Sequence, residues 1–70
     1  MTEVRSEIAA SVWKVTVEVG QAVEAGATIA ILESMKMEIP VEAPRAGIVS
    51  EVRVAPDDRV ADGDVIAVLA

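Results

Sequence analysis

The chain repeats itself. Slid against itself by thirty-seven positions, Val12, Val15, Val17 and Val23 fall on Val49, Val52, Val54 and Val60. Gly26 falls on Gly63, and Ile29, Ala30 and Leu32 fall on Ile66, Ala67 and Leu69. Ile31 meets Val68, and no gap is needed. One offset that serves apolar positions and a turn glycine together marks internal duplication rather than coincidence in a Val-rich chain. Whatever the first half forms, the second must form again, and each needs the other to cover its apolar face. Neither half is expected to fold alone.

Each half reads as short strands cut by turns. Valines mark a first strand over Val12–Val19 and again over Val49–Val54. A turn follows at Gly20-Gln21 or Pro56-Asp57-Asp58, then a short bridge at Val23 or Val60. A second turn at Gly26 or Asp62-Gly63-Asp64 leads into a strand over Thr28–Leu32 or Val65–Leu69. Strands this short, separated by Gly, Pro and Asp, indicate an all-β sandwich or flattened barrel. The composition agrees: the apolar residues are mainly Val, Ile and Ala, there is no Phe or Tyr, and Trp13 is the single aromatic. β-Branched side chains suit pleated surfaces, and few large ones imply a thin core between closely packed sheets. The expected fold is one domain over residues 1–70: two four-stranded antiparallel sheets related by an internal pseudo-two-fold axis. An opening strand over Val4–Ala9 is expected to pair near the C-terminal one and bring the two ends together.

Several function classes fall away. The chain has no cysteine and no histidine. That removes disulfides, thiolate metal sites, the usual general base and the commonest metal ligand. Catalysis by this chain alone is not expected. A net charge of −6 disfavours nucleic acid and anionic membrane surfaces, which need a basic patch. It suits docking onto basic protein surfaces, and it also serves plain solubility. The charged opening residues 1–7 lack the apolar core of a signal peptide, and no apolar run reaches membrane-spanning length. A cytoplasmic protein is the expectation.

Between the repeats lies Glu33-Ser34-Met35-Lys36-Met37-Glu38-Ile39-Pro40. A two-residue loop at Met35-Lys36 would pair Ser34 with Met37, Glu33 with Glu38 and Leu32 with Ile39. Leu32, Ile39, Ala30 and Val41 would then share one face, with Ile31 opposite Pro40 on the other. Pro40 limits the outer edge of that pairing. The tip chemistry is unusual, because tight hairpins favour Asn, Asp or Gly. Exposed thioethers at a poor turn sequence suggest a functional demand. The contrasting reading is that Met35 or Met37 folds back onto the sheet and Lys36 is an ordinary solvated lysine. Composition alone leaves both readings open.

Glu33-Ser34-Met35-Lys36-Met37-Glu38 resembles the attachment motif of biotinyl domains, whose core is Met-Lys-Met. The surrounding repeat resembles the biotinyl/lipoyl attachment domain over nearly the whole chain, with Gly20, Gly26, Gly47-Ile48-Val49 and Gly63-Asp64 matching its turns. The chain departs from that pattern at Ala9-Ala10-Ser11, where the family often has Met-Pro-Gly, and at Asp57, which replaces a turn glycine. The gapless repeat also leaves no room for the protruding thumb that some biotinyl domains insert between the second and third strands.

The resemblance implies a biotin carboxyl carrier. A biotin protein ligase would join biotin to the Lys36 amine as an amide, with Met35 and Met37 serving recognition and Glu33, Ser34 and Glu38 flanking the hairpin. The group would then carry a carboxyl between a biotin carboxylase and a carboxyltransferase of an acyl-CoA-type carboxylase. The ligase would have to remove the lysine proton, since this chain supplies no base. A lipoyl carrier usually shows Asp-Lys at the tip, so Met35 and Met37 favour biotin. The residues also leave room for a cofactor-free β interaction module and for a domain of a multifunctional carboxylase. With Met1 at the start and no Ala/Pro-rich linker before Val4, an independent subunit, monomeric when isolated, is expected.

Overall fold

The computed structural model describes all 70 residues. It contains eight strands: β1 (Thr2–Arg5), β2 (Ala10–Val15), β3 (Ala22–Val23), β4 (Thr28–Ser34), β5 (Met37–Glu42), β6 (Gly47–Val52), β7 (Arg59–Val60) and β8 (Val65–Leu69). They form two four-stranded sheets, ordered β1-β8-β6-β3 and β5-β4-β2-β7, and every pairing is antiparallel. No helix is long and apolar enough to cross a membrane.

The thirty-seven-residue offset is a symmetry of the fold. It carries β1 to β5, β2 to β6, β3 to β7 and β4 to β8, and so converts the strand order of either sheet into that of the other. The registers agree residue by residue. Val12, Lys14 and Val15 pair with Leu32, Ile31 and Ala30, while Val49, Glu51 and Val52 pair with Leu69, Val68 and Ala67. Bonds outside the strands repeat too. The Val12 amide donates to the Asp58 carbonyl at 2.7 Å, and the equivalent Val49 amide donates to the Gln21 carbonyl at 2.9 Å. The Gly26 amide donates to Ala43 and the Gly63 amide to Ser6, each at 2.8 Å.

That last pair extends the repeat beyond its sequence limits, because Ser6 and Ala43 are themselves one offset apart. The opening strand is thus the copy of β5. It covers Thr2–Arg5 rather than the expected Val4–Ala9. Ser6 ends it: its buried hydroxyl donates to the Ile8 carbonyl at 2.5 Å, a local bond that favours a turn over a continued strand. The first repeat strand is likewise shorter than expected. It stops at Val15; Val17 stays buried, while Val19 is exposed in the turn with Gly20.

The three-residue step from Val12 to Val15 breaks strict alternation, and a β-bulge accounts for it. The register shifts between Val12 and Lys14, leaving Trp13 as the extra residue, and shifts again between Val49 and Glu51 around Ser50. Two consecutive residues thereby face outward, and the flanking valines all reach the core. That core is built from Val, Ile, Leu and Ala, with the offset pairs Val12/Val49, Val23/Val60, Ile29/Ile66, Ala30/Ala67 and Leu32/Leu69 all buried. Such small side chains let the sheets lie close, in a body of 31 × 17 × 17 Å.

The long axis separates two ends. Ser11 lies beside Glu33, next to the β4–β5 turn. Nine residues later, Gly20 donates to Val49, whose partner Leu69 pairs with Thr2. An extended run of that length covers roughly 30 Å. The β4–β5 turn and the paired chain ends therefore lie at opposite ends of the body.

Candidate functional site

The site begins with the strand pair that carries it. β4 and β5 pair as the sequence predicts: Leu32 with Ile39, Glu33 with Glu38 and Ser34 with Met37. Leu32 is fully buried and Ile39 packs against the same core, so the base of the hairpin is anchored from inside. Ile31 and Pro40 face outward, and β5 is an edge strand, where a proline's missing amide costs no ladder bond.

Met35 and Lys36 form the two-residue loop, with φ of 50° and 67°. Positive φ at both central residues is the type I′ signature, whose twist matches the flanking strands. For residues with a Cβ this left-handed backbone costs on the order of 1–2 kcal/mol each. Met35 is 92% exposed and Met37 65%, so neither folds back onto the sheet. Glu33 and Glu38 are exposed and directly opposed, an unfavourable pairing of like charges. Ser34 is half-buried. The hairpin thus breaks three local preferences at once: turn propensity, burial of apolar side chains and cross-strand charge. Local rules broken together while the scaffold around them is regular point to a functional demand.

Lys36 is exposed and makes no ion pair; the two ion pairs of the molecule join Arg5 to Glu3 and Arg53 to Glu51. Its amine is the one nucleophilic side chain at the tip. The surface depressions of the body lie along β1, β5 and the segment around Asp58–Val65, and none is lined by Met35, Lys36 or Met37. A group carried by Lys36 would fit as an appended tether in solvent rather than in a pocket of this chain. No three His, Cys, Asp or Glu side chains converge as metal ligands. The other lysine, Lys14, lies within β2 with its Nζ 4.8 Å from the Trp13 ring centre.

Sequence reasoning misses one residue of this region. Trp13 stands 45% exposed on the strand beside β4. Its signal is the repeat itself, which places Ser50 at the equivalent position.

Residues 2–69 match the family described as biotin-requiring enzyme. The chain is 52% identical over 68 residues to a biotinylated protein, the TB7.3 homolog of Mycobacterium leprae, covering 97% of this chain and 96% of that protein. It is 50% identical over 64 residues to the biotin/lipoyl attachment protein of Bacillus subtilis, covering 91% and 88% respectively. Among solved structures, the Kluyveromyces lactis urea carboxylase superposes with a TM-score of 0.93 at 36% identity, over 99% of this chain and 6% of that one.

Proposed function

This chain belongs to the biotin/lipoyl attachment family and is a biotin-carrying domain homologous to the carrier regions of carboxylases, and from that premise we propose that Lys36 is the residue that takes the biotin. The observation that carries the assignment is the tip itself: an exposed, unpaired lysine between two exposed methionines on a strained two-residue turn.

Each residue of the hairpin has its own part. The Lys36 Nζ bonds to the biotin carboxyl carbon as an amide, with one water lost overall. An ordinary lysine amine is protonated at neutral pH and must lose that proton to attack. No base stands at this tip, so a biotin protein ligase supplies one. Met35 and Met37 present apolar surface to that enzyme, and Glu33, Ser34 and Glu38 flank the hairpin. The type I′ turn keeps Lys36 at the extreme end of the body, clear of the sheets. Lysine and biotin chains together give a tether of roughly ten bonds, about 12–15 Å extended. When attached, biotin supplies a ring that accepts and gives up a carboxyl group. The protein contributes reach and effective concentration rather than catalysis, between a biotin carboxylase and a carboxyltransferase of an acyl-CoA-type carboxylase. It does so as a cytoplasmic carrier without enzymatic activity of its own.

Intact mass tests the assignment. Incubation with a biotin ligase, ATP and biotin should add about 226 Da, the acid less one water, to a single site. The Lys36→Arg variant should gain nothing, with Lys14 ignored. A gain of about 188 Da with a lipoate ligase instead would mark a lipoyl carrier. Modification that persists in Lys36→Arg would overturn the assignment.

A further inference from the structure

We infer that the outer face of the β5-β4-β2-β7 sheet, centred on Trp13, is the docking surface for the enzyme that acylates Lys36, and that this enzyme meets it with an apolar cleft rimmed by basic residues. The inference rests on the assignment of Lys36 as the attachment site.

The duplication provides an internal control. Both halves use the same backbone frame, the same bulge and the same register. At the bulge of the second half stands Ser50; at the bulge of the first stands Trp13. The fold therefore does not need an aromatic ring at this position. Trp13 is nonetheless 45% exposed, and its one aromatic-type contact is with the neighbouring Lys14. The register extends the contrast across the sheet. Across the bulge, Lys14 pairs with Ile31 and Ile31 with Pro40, so Trp13 stands next to the Lys14–Ile31–Pro40 row on the outer face. The equivalents of Ile31 and Pro40 on the other sheet are Val68 and Glu3. At this level the sheet that bears the lysine hairpin thus carries Trp13, Ile31 and Pro40 where the other carries Ser50, Val68 and Glu3.

Reach then selects the partner. A bare lysine extends about 6 Å from its Cα. The acylating enzyme must bring its active site that close to the tip, whereas enzymes that act on the finished tether can work from 12–15 Å away, about the length of lysine and biotin together. Ile31 lies five residues from Lys36 along β4, roughly 15 Å away. A standard interface of about 800 Å² per partner has a radius of about 16 Å, so a footprint that includes the tip reaches Trp13. Tryptophan, with tyrosine and arginine, is enriched among the residues that dominate such interfaces. The charge of the partner follows from the charge of the chain. Glu33, Glu38 and Glu42 face outward on this sheet, balanced by Lys14, Arg59 and, at the tip, Lys36. The excess of acid lies over the rest of the chain, and its net charge of −6 calls for a basic rim around the contact.

Two measurements test the inference. In steady-state assays with a biotin protein ligase, Trp13→Ser, which installs the residue used by the other half, should raise the KM for the carrier at least about tenfold with kcat little changed. Trp13→Phe should recover part of the loss, and both variants should match the parent in urea unfolding. Independently, 5-fluorotryptophan labels the chain at its single Trp. Its ¹⁹F resonance should shift or broaden when unlabelled ligase is added to Lys36→Arg carrier, which docks but cannot react. A resonance that stays unmoved at ligase concentrations that saturate the parent reaction would overturn the inference, as would a folded Trp13→Ser carrier with parental KM. If the parent is modified at Lys36 and Trp13→Ser is modified equally well, only the docking surface fails. If the parent takes no biotin, the assignment of Lys36 fails first, and the docking surface with it.

Discussion

At the tip, Met35 and Lys36 occupy backbone that Asn and Gly would hold at lower cost. The cost belongs to the hairpin, and the benefit belongs to whatever reads it. Met35→Asn should therefore raise the unfolding free energy by up to about 1 kcal/mol while slowing biotinylation. Met35→Ala and Met37→Ala remove side chains that bury little, so urea unfolding should change by no more than about 0.5 kcal/mol, again with slower modification. A loss of about 2–5 kcal/mol, the cost of emptying a core position, would show that the methionines pack rather than signal. The odd chemistry of these residues is legible in the sequence, but not where their side chains go. Turn propensity says only that Met-Lys is disfavoured; whether Met35 bends back depends on the twist of β4 and β5, which the three-dimensional pairing decides. Trp13 is hidden for a related reason. A lone aromatic in a thin-cored chain looks like core until the bulge turns it outward.

Among the elements, those whose faces are set by burial are the most legible. The β4–β5 register follows from Leu32, Ile39, Ala30 and Val41 all needing the same side, since a one-residue slip would invert them. β8 runs over Val65–Leu69 as expected because turn residues bound it on one side and four of its residues are buried. β1 departs from expectation, because only Val4 and Val41 advertise that it copies β5. Its equivalence lives in backbone bonds to Ser6 and Ala43, which leave no mark on side-chain type. The turns give a quantitative check on the duplication. Gly26 and Gly63 have φ of 86° and 91°, and a Cβ at either would meet nothing within 4 Å. Gly26→Ala and Gly63→Ala should each lose about 1 kcal/mol, purely from left-handed backbone, and by nearly equal amounts. Unequal losses in urea titrations would mean that the two turns are equivalent in shape but not in energy. Asp57 already shows what a side chain does there: it takes φ 75° at the position equivalent to Gly20.

For the molecule as a whole, topology decides what can be cut and what can be joined. Each sheet draws strands from both halves, so residues 1–35 alone would keep the β2–β4 pair but leave β1 without β8 and β3 without β6. Fragments 1–35 and 36–70 should each lack a cooperative unfolding transition. Joining is the converse case. Leu32 pairs with Ile39 across the lysine hairpin; one offset away, Leu69 pairs with Thr2 across the chain ends. Residues 70 and 1 therefore stand where a two-residue hairpin loop would stand. Arg45 already braces this end, donating to Thr2 Oγ1 at 2.6 Å and to the Ala70 carbonyl at 3.1 Å. Head-to-tail ligation with Ala70→Asn and Met1→Gly supplies the turn pair that this loop prefers. Closing a loop of this length removes unfolded-state entropy worth up to about 4 kcal/mol, less any strain in the new turn. The ring should melt at a higher temperature than the linear chain bearing the same two substitutions. Because the joint lies at the far end of the 31 Å axis, the rate of Lys36 biotinylation should not change. A ring that melts lower would mean that the Leu69–Thr2 pair is not in hairpin register. A ring that melts higher but is modified slowly would mean that the two ends of the body communicate.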